Sequence, residues 1–570
     1  MQTQTPQSPW KQAIQAGLLG GALAVLLSLV GMVVAFSGRW IINNVFTMGQ
    51  VIFLLPIVLM TYSAIRRTTP QTNRMVILTG LVAGLAGGAI LALLLIIGSV
   101  VNLQAMFINA STPLYRVLTF GKDLALGVVL LIAICGIVGG LVGAIFILPY
   151  RIRTAVIQGL LWVTLIGLLR DLIITVTTRW GPLARIIRSL FAQSGLTIVG
   201  ALLVFVLIAV IYYWRAGQPV ATSSVLSRAA NQRPIVRWLT IAAIIVVLLL
   251  LPPILGVFFS NILDTVFMYI LMGLGLNIVV GFAGLLDLGY VAFFAIGAYV
   301  MGVLTSPELS ANPMTYWQAL PFAVITCVIA GVILGLPVLK MRGDYLAIVT
   351  LGFGEIVRLL ALSDWLRPWF GGSQGIQLIA QPRIGNLLLN TQQELYYLFL
   401  IGVGIVAFVA WRLRDSRVGR TWMALREDED VAIAMGINHV TTKLMAFATG
   451  ALFSGIAGTI FAAQLQSVYP HSMNFLVSIN VLSLIIIGGM GSIPGVFVGA
   501  LVLMGLPELL REFAEFRYLV YGALLMAMML TRPEGLWPEE RRRLELHESM
   551  EPTAATVHPQ PEISAGKTGD

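Results

Sequence analysis

The chain contains a succession of apolar runs, and this feature constrains its fold more than any other. A helix of about 20 apolar residues crosses the roughly 30 Å hydrocarbon layer of a bilayer, and we find six such runs before residue 220 and ten after it. Charged residues make up 11% of the 570 residues and hydrophobic residues 58%, which leaves too little polar surface for a water-exposed protein. The sequence therefore predicts an all-α polytopic membrane protein with about 14–16 transmembrane or re-entrant helices.

The apolar runs differ in length. The first six lie near residues 13–36, 45–65, 75–100, 122–148, 155–178 and 195–214. The later ten lie near residues 238–259, 262–280, 286–304, 319–339, 345–361, 395–411, 443–465, 477–490, 495–510 and 517–531. Several of the later runs are too short to span a membrane as straight helices, so we expect broken or re-entrant helices among them.

The charge distribution indicates how the chain is oriented. The net charge is +10, and most of the arginines lie in the loops that the order of the spans places on one side. The positive-inside rule makes this side cytoplasmic, which predicts a multi-pass protein of the plasma (inner) membrane, in contact with lipid, with both termini in the cytoplasm. Because the positive charge lies in the loops between apolar runs, where it sets the orientation in the membrane, we do not expect a nucleic-acid partner.

The residues that enzymes and metal sites need are scarce. The two cysteines, Cys135 and Cys327, lie in separate apolar runs, and there are four histidines, so we predict neither a disulfide framework nor a metal site. The nearest nucleotide-binding signals, Gly121-Lys122 and Gly566-Lys567-Thr568, lack the first glycine of a phosphate loop. No hydrolase or dehydrogenase motif is present either. We therefore predict no catalytic residues, and no cofactor bound by this chain.

A polar stretch divides the sequence into blocks. Residues 216–231 are rich in Ser, Thr, Ala and Gln and resemble a linker. We predict an N-terminal six-span membrane block of unknown role over residues 1–220, a cytoplasmic linker over 221–237, a second membrane block over 238–537 and a disordered cytoplasmic tail over 538–570.

The segment Arg412–Lys443 is the most informative polar part of the sequence. It carries four consecutive acids, Glu427 to Asp430, followed by Val431, Ala434 and Met435 and then Gly436. This pattern predicts a short helix with carboxylates at its positive end, an apolar stripe on one side and a glycine at its end. Such a helix suits a groove on a partner protein, although a solvated loop whose acids balance its arginines gives the same pattern.

This segment resembles the cytoplasmic coupling loop of ABC-transporter permeases, in particular the branched-chain amino acid permeases of the LivM type. Other motifs over about residues 238–537 agree in order: Gly275–Tyr290, Arg342–Ile356, Gly371–Ile376, Gly488–Gly495 and Arg532–Trp537. In that family the loop fits into the ATPase subunit. The resemblance thus implies an ATPase-coupling set of Arg420, Arg426, Glu427, Asp428, Glu429, Asp430, Ala434 and Gly436.

Four polar residues are candidates for the translocation pathway. Asn277, Asp287 and Tyr290 lie in a glycine-rich apolar segment, and an ionisable residue at membrane depth is by default a pathway candidate. Glu355 is the fourth, and Arg358, three residues later, can share its helix face and neutralise it. For Asp287, a position near a membrane face is an equal alternative.

The resemblance implies a function and a set of partners. The chain is expected to be the permease subunit of an importer for branched-chain amino acids, driven by ATP and Mg²⁺ on separate ABC ATPase subunits. A second permease subunit and an extracytoplasmic solute-binding protein are expected to complete it. Two alternatives stay open: an ABC permease for urea or short amides, and a secondary transporter driven by an ion gradient.

Overall fold

The computed structural model is almost entirely helical. It describes residues 9–67, 72–177, 182–192, 194–215, 234–339, 341, 343–385, 387–505 and 534–538, with the single residues 519, 522, 525 and 526. Within these residues, 11 helices are long and apolar enough to cross a membrane, and shorter apolar helices accompany them. The predicted all-α polytopic class is confirmed. The predicted tail, most of the linker, and nearly all of the run near 517–531 lie outside the described residues.

The chain divides into two compact units, Met1–Thr240 and Ile241–Asp570. The helices of the first unit are α1 (Pro9–Leu29), α2 (Met32–Ala35), α3 (Met48–Arg67), α4 (Asn73–Val100), α5 (Thr112–Leu118), α6 (Leu124–Ile147), α7 (Tyr150–Leu168), α8 (Arg170–Thr177), α9 (Pro182–Ser189) and α10 (Ile198–Arg215). A 3₁₀ turn, Leu103–Ala105, and a hairpin of β1 (Trp40–Ile42) and β2 (Phe46–Thr47) complete the described elements.

Small residues let the helices of the first unit pack closely. A Cβ atom on Gly80 or on Gly139 would overlap the backbone carbonyl of the other residue, so α4 and α6 are in direct backbone contact, as is common for membrane helices. The first predicted run, near 13–36, is broken rather than continuous, because Gly31 adopts a φ of 97° between α1 and α2.

The second unit has the more extensive core. Its helices are α11 (Pro234–Leu255), which contains the boundary between the units, α12 (Val257–Leu276), α13 (Val291–Thr305), α14 (Tyr316–Val338), α15 (Asp344–Leu362), α16 (Arg367–Phe370), α17 (Gln392–Arg414), α18 (Arg417–Glu427), α19 (Glu429–Ala434), α20 (His439–Leu465), α21 (Phe475–Gly488) and α22 (Ile493–Ala500). Two π-helices, Asn277–Phe282 and Leu501–Gly505, extend α12 and α22. The 3₁₀ turns are Gly372–Gln374 and Pro470–Ser472.

Short antiparallel strand pairs connect loops of the second unit. β3 (Ile376–Gln377) pairs with β6 (Ser467–Val468), with Ile376 opposite Val468. β4 (Arg383–Ile384) pairs with β5 (Leu387–Leu388). The β3–β6 pair joins the loop after α16 to the residues that follow α20. These two segments are distant in sequence.

The predicted broken helix occurs after α12. The chain winds as a π-helix over Asn277–Phe282 and is not helical again until α13 begins at Val291. The run expected near 286–304 therefore becomes helical later than its apolar content suggests. Two hydrogen bonds hold this bend: Asp287 Oδ1 accepts from Gly289 N at 2.9 Å, and Leu288 N donates to Thr350 Oγ1 of α15 at 3.0 Å.

Candidate coupling site and translocation pathway

The predicted short acidic helix is present as α19. Its N-cap is Asp428, whose Oδ1 accepts hydrogen bonds from Asp430 N at 2.9 Å and Val431 N at 3.0 Å. Glu429 and Asp430 occupy its first turn, where carboxylates interact favourably with the helix dipole. The preceding helix, α18, is capped in the same way by Ser416, whose Oγ accepts from Gly419 N at 3.2 Å. Local capping therefore explains why the chain turns twice between α17 and α20.

The outer surface of α19 is apolar and exposed. Val431 is 58% exposed and Met435, just after the helix, is 80% exposed, and Ala434 is exposed beside them. Ile433 is exposed as well, so the apolar surface is wider than the predicted stripe, whereas Ala432 is buried. We call residues 417–436 the coupling segment, because this surface has the form that a docking helix needs.

The coupling segment ends in a glycine with a left-handed backbone. Gly436 has a φ of 88°, and a Cβ built on it would meet nothing within 4 Å. Its N–H donates to Ile433 O at 2.9 Å, and Ile437 N donates to Ala432 O at 3.1 Å. This is the helix ending that the sequence predicted from the glycine.

Trp422 fixes α18 to the next long helix. Its side chain is fully buried, and its Nε1–H donates a hydrogen bond to Thr442 O at 2.9 Å. Thr442 belongs to the first turn of α20. The indole thus contributes both apolar burial and a satisfied polar group to this junction.

An ion pair joins α19 to the start of α20, one residue after the carbonyl that Trp422 binds. Lys443 Nζ lies 2.7 Å from Glu429 Oε1, and the side chains are 1% and 17% exposed. Sequence reasoning identified Glu429 but not Lys443, because a single lysine at the start of an apolar run usually extends to the membrane surface. The absence of a nearby acid along α20 itself was the one available signal that Lys443 needs a distant partner.

Arg426 joins the coupling segment to the broken helix after α12. Its Nη1 donates to Gly281 O at 2.7 Å, and its Nη2 donates to Glu427 Oε1 at 2.8 Å. The chain bends beside it at Gly284, where φ is 70° and a Cβ would lie 2.6 Å from Arg426 Cγ. Arg420 lies at the other end of α18, where its Nη1 donates to Asp415 O at 3.1 Å. The predicted set is therefore clustered around α19, with Arg420 apart from it.

Three of the four pathway candidates lie in the protein interior. Asn277 Oδ1 accepts from Gly491 N at 2.8 Å, which joins two of the glycine-rich motifs. Tyr290 OH donates to Gly450 O at 2.7 Å, and Asp287 is buried in the bend before α13. These contacts hold α12, α13, α20 and the loop before α22 together. Their part in transport stays a prediction.

Glu355, the fourth candidate, lies beside a groove of about 130 Å³. It pairs with Arg358, as the three-residue spacing predicted: Arg358 Nε donates to Oε2 at 3.0 Å and Nη2 donates to Oε1. The groove is lined by residues of α15, of the start of α13 and of the start of α21: Leu288, Val291, Leu351, Gly354, Glu355, Met473 and Phe475. Asn277, Asp287 and Tyr290 do not line it.

Two of the sequence motifs, Gly488–Gly495 and Arg532–Trp537, are joined by hydrogen bonds at the end of α21. Leu536 N donates to Ile487 O at 2.8 Å and Trp537 N donates to Gly488 O at 2.9 Å, so the chain around Gly535 lies along the glycine-rich turn after α21. Arg532 and Pro533 of the same motif lie outside the described residues. Among the residues that the structure describes, no group of three or more His, Cys, Asp or Glu is arranged to hold a metal ion.

Comparison with known proteins shows which family has these features. The family model "Branched-chain amino acid transport system / permease component" matches residues 258–529. The permease protein LivM of the high-affinity branched-chain amino acid transport system of Salmonella typhimurium is 41% identical over 301 residues, which cover 49% of this chain and 69% of the relative. The chain belongs to the LivM-type permease family. The resemblance inferred from the motifs is thereby confirmed, over a slightly narrower range than the predicted 238–537.

More distant permeases match about half of this LivM-type permease. The LivH permease protein of Escherichia coli is 23% identical over 290 residues, covering 47% of this chain and 90% of the relative. The probable LivM protein of Methanocaldococcus jannaschii is 25% identical over 300 residues, covering 47% of this chain and 85% of the relative. No solved structure gives a significant match. The family model lies entirely within the second unit.

Proposed function

We propose that this LivM-type permease is the membrane subunit of an ABC importer for branched-chain amino acids. In this scheme ATP and Mg²⁺ are bound on separate ATPase subunits, and the chain itself binds no cofactor. A second permease subunit completes the pore, and an external solute-binding protein delivers the substrate. By the positive-inside rule, the arginine-rich loops favour an inner-membrane orientation with the coupling segment and both termini in the cytoplasm. The transport work is assigned to residues 238–537.

One observation carries this proposal: the coupling segment combines an exposed apolar surface with firm internal attachments. Val431 and Met435 are exposed on its outside, whereas Trp422, Arg426 and Glu429 bind it to the rest of the second unit. A solvated loop needs neither feature. A helix that transmits the movement of an ATPase to the membrane needs both, since a helix without internal attachments would move without moving the spans.

The attachments suggest how movement reaches the membrane. Trp422 and Glu429 both bind the start of α20, so a displacement of α19 is transmitted to that span. Arg426 binds the π-helix that follows α12, so the same displacement reaches the broken helix. Rearrangement of broken helices against their neighbours is a general route to alternating access.

The docking proposal is tested with the double variant Val431→Asp/Met435→Asp. It places two charges on the apolar surface and is expected to abolish co-purification of the ATPase subunits and ATP-dependent leucine uptake, because a buried unpaired charge opposes docking. Val45→Asp is the control, since Val45 is equally exposed in the β1–β2 turn. Normal co-purification of the double variant would contradict the proposal.

The energy source separates this proposal from the ion-gradient alternative, which family membership does not favour. In proteoliposomes that contain the complete transporter, leucine uptake is expected to require ATP and to be insensitive to collapse of proton and sodium gradients. Uptake that persists without ATPase subunits and follows an ion gradient would establish the alternative. Urea uptake in the same vesicles tests the remaining alternative.

A further inference from the structure

An ion pair lies partway along a span of the second unit. Glu355 and Arg358 are in α15, which ends at Leu362, so Glu355 lies about 10 Å from that end at 1.5 Å per residue. Their side chains are 41% and 24% exposed. Charged side chains at membrane depth rarely face lipid, and they usually mark a substrate pathway or a protein interface. The pair therefore requires an explanation beyond packing.

The ion pair adjoins the 130 Å³ groove described above. Leu351, Gly354, Glu355 and Arg358 recur at intervals of three and four, so they share one face of α15. The first three of them line the groove. Opposite them stand Leu288, Val291, Met473 and Phe475. The result is an apolar groove with the Glu355 carboxylate in its lining, and the Arg358 guanidinium is bonded to that carboxylate just outside the lining.

The groove has the dimensions of a small aliphatic group. An engineered apolar cavity of about 150 Å³ in another protein holds one benzene molecule. A groove of about 130 Å³ thus accommodates the three or four carbons of a valine, leucine or isoleucine side chain. Close backbone contact limits enlargement, since a Cβ on Gly354 would lie 3.1 Å from Gly289 Cα.

The groove also adjoins the bend that follows the broken helix after α12. Val291 and Phe475 stand at the beginnings of α13 and α21, each of which follows a non-helical stretch. Val291 N donates to Ser478 Oγ at 3.0 Å, so the two helix starts are coupled to one another. A shift of the broken helix after α12, to which Arg426 is bonded, changes the position of one wall of the groove.

We propose that this groove is a transit site for a zwitterionic amino acid with an aliphatic side chain. The side chain occupies the apolar groove, the Glu355 carboxylate accepts hydrogen bonds from the substrate ammonium, and the Arg358 guanidinium donates to the substrate carboxylate. This inference rests on the proposed function as a branched-chain amino acid importer. The ion pair is complementary to the two charges of the substrate, so each group exchanges one partner for another without a charge being left bare.

Photo-labelling of the complete transporter tests the site directly. The probe is photo-leucine, the diazirine analogue of leucine, applied to proteoliposomes during ATP-driven uptake, with labelled residues identified by mass spectrometry. We expect labels on Leu351, Met473 or Phe475 that excess leucine removes. If leucine is taken up but the labels lie elsewhere on the permease, the transit site is wrong and the importer proposal stands. If no branched-chain amino acid is taken up, the proposed function itself fails.

A matched pair of substitutions on α15 gives a second test. Leu351→Phe fills the groove and is expected to lower leucine uptake about tenfold through a higher KM. Leu360→Phe makes the same change on the opposite face of the helix, where Leu360 is exposed, and is expected to leave uptake unchanged. Equal effects of the two variants would overturn the proposal, even if both proteins assemble normally.

The charges are tested by Glu355→Gln. It is expected to raise the KM for leucine about tenfold, since a charge-assisted hydrogen bond is lost. The double variant Glu355→Arg/Arg358→Glu retains an ion pair with its polarity reversed. Complete recovery of the leucine KM in the double variant would show a purely structural pair at a subunit interface and would overturn the substrate role.

Discussion

At the scale of single residues, the side chains that attach the coupling segment are as informative as those that face outward. Lys443 is enclosed in the protein, and its charge is balanced by Glu429 at 2.7 Å. A buried pair of this kind contributes little net stability compared with apolar residues, but removal of one partner leaves the other charge uncompensated. The pair is therefore better understood as a positional link between α19 and α20.

Lys443→Met is predicted to weaken this link. Because Glu429 is partly exposed and can reach water, the loss of stability is expected at about 1–2 kcal/mol, below the 3–5 kcal/mol of a fully buried broken pair. The thermal midpoint of the purified protein should fall, and leucine transported per ATP hydrolysed should fall with it. The double variant Lys443→Met/Glu429→Met should regain the thermal midpoint. If it does not, the two side chains are not energetically coupled.

Arg426→Lys is predicted to separate docking from transport. Lysine keeps the positive charge but replaces the two separate nitrogens that donate to Gly281 O and to Glu427 with a single one, so the geometry of both bonds is not retained. Co-purification of the ATPase subunits should persist. Leucine uptake per ATP hydrolysed should fall several-fold, which corresponds to a loss of about 1 kcal/mol of coupling free energy. Arg412→Lys, at an exposed position near the end of α17, is the control. Normal uptake by Arg426→Lys would show that the bond to Gly281 does not transmit movement.

At the scale of elements, α19 depends on a backbone conformation that L side chains rarely adopt. Gly436→Ala adds a methyl group in open space, so its whole effect arises from the φ of 88° and is expected to cost about 1–2 kcal/mol. ATPase affinity should fall about tenfold as the helix end becomes distorted. Gly404→Ala is the control, because its Cβ also meets nothing within 4 Å and its backbone is helical. Equal affinities for the two variants would contradict this role of the helix ending.

Elements that depend on local sequence were predictable. The acids, the apolar stripe and the terminal glycine of α19 all act within one or two turns of helix, so the sequence pattern was sufficient to predict the helix. The Glu355–Arg358 pair was predicted for the same reason. A broken helix among the later runs was expected from their short lengths, but the π-helix was not, because Asn277 within it bonds to Gly491, 214 residues away.

Contacts between distant parts of the chain were not predictable from one sequence. Nothing near Lys443 in the sequence indicates Glu429 as its partner, and nothing near Arg426 indicates Gly281. The groove beside Glu355 is another example, since its walls come from three separate helices. These contacts arise from tertiary packing, which hydrophobic periodicity does not encode.

At the scale of the whole molecule, the chain combines two membrane units, and the family match lies within the second of them. The second unit, Ile241–Asp570, contains the family match, the coupling segment and the groove. The first unit, Met1–Thr240, contributes its own spans and a tightly packed pair of glycine-bearing helices.

The proposed docking of a separate ATPase subunit on α19 is the feature on which the proposed transport mechanism depends. Met435→Cys places a thiol on the exposed surface of the coupling segment, while the native Cys135 and Cys327 are buried. In the assembled transporter, a short bifunctional maleimide should cross-link this cysteine to the ATPase subunit, and Val45→Cys should give no such product. If the complex assembles and transports leucine but Met435→Cys forms no cross-link to the ATPase, the ATPase holds the permease elsewhere and the mechanism is wrong.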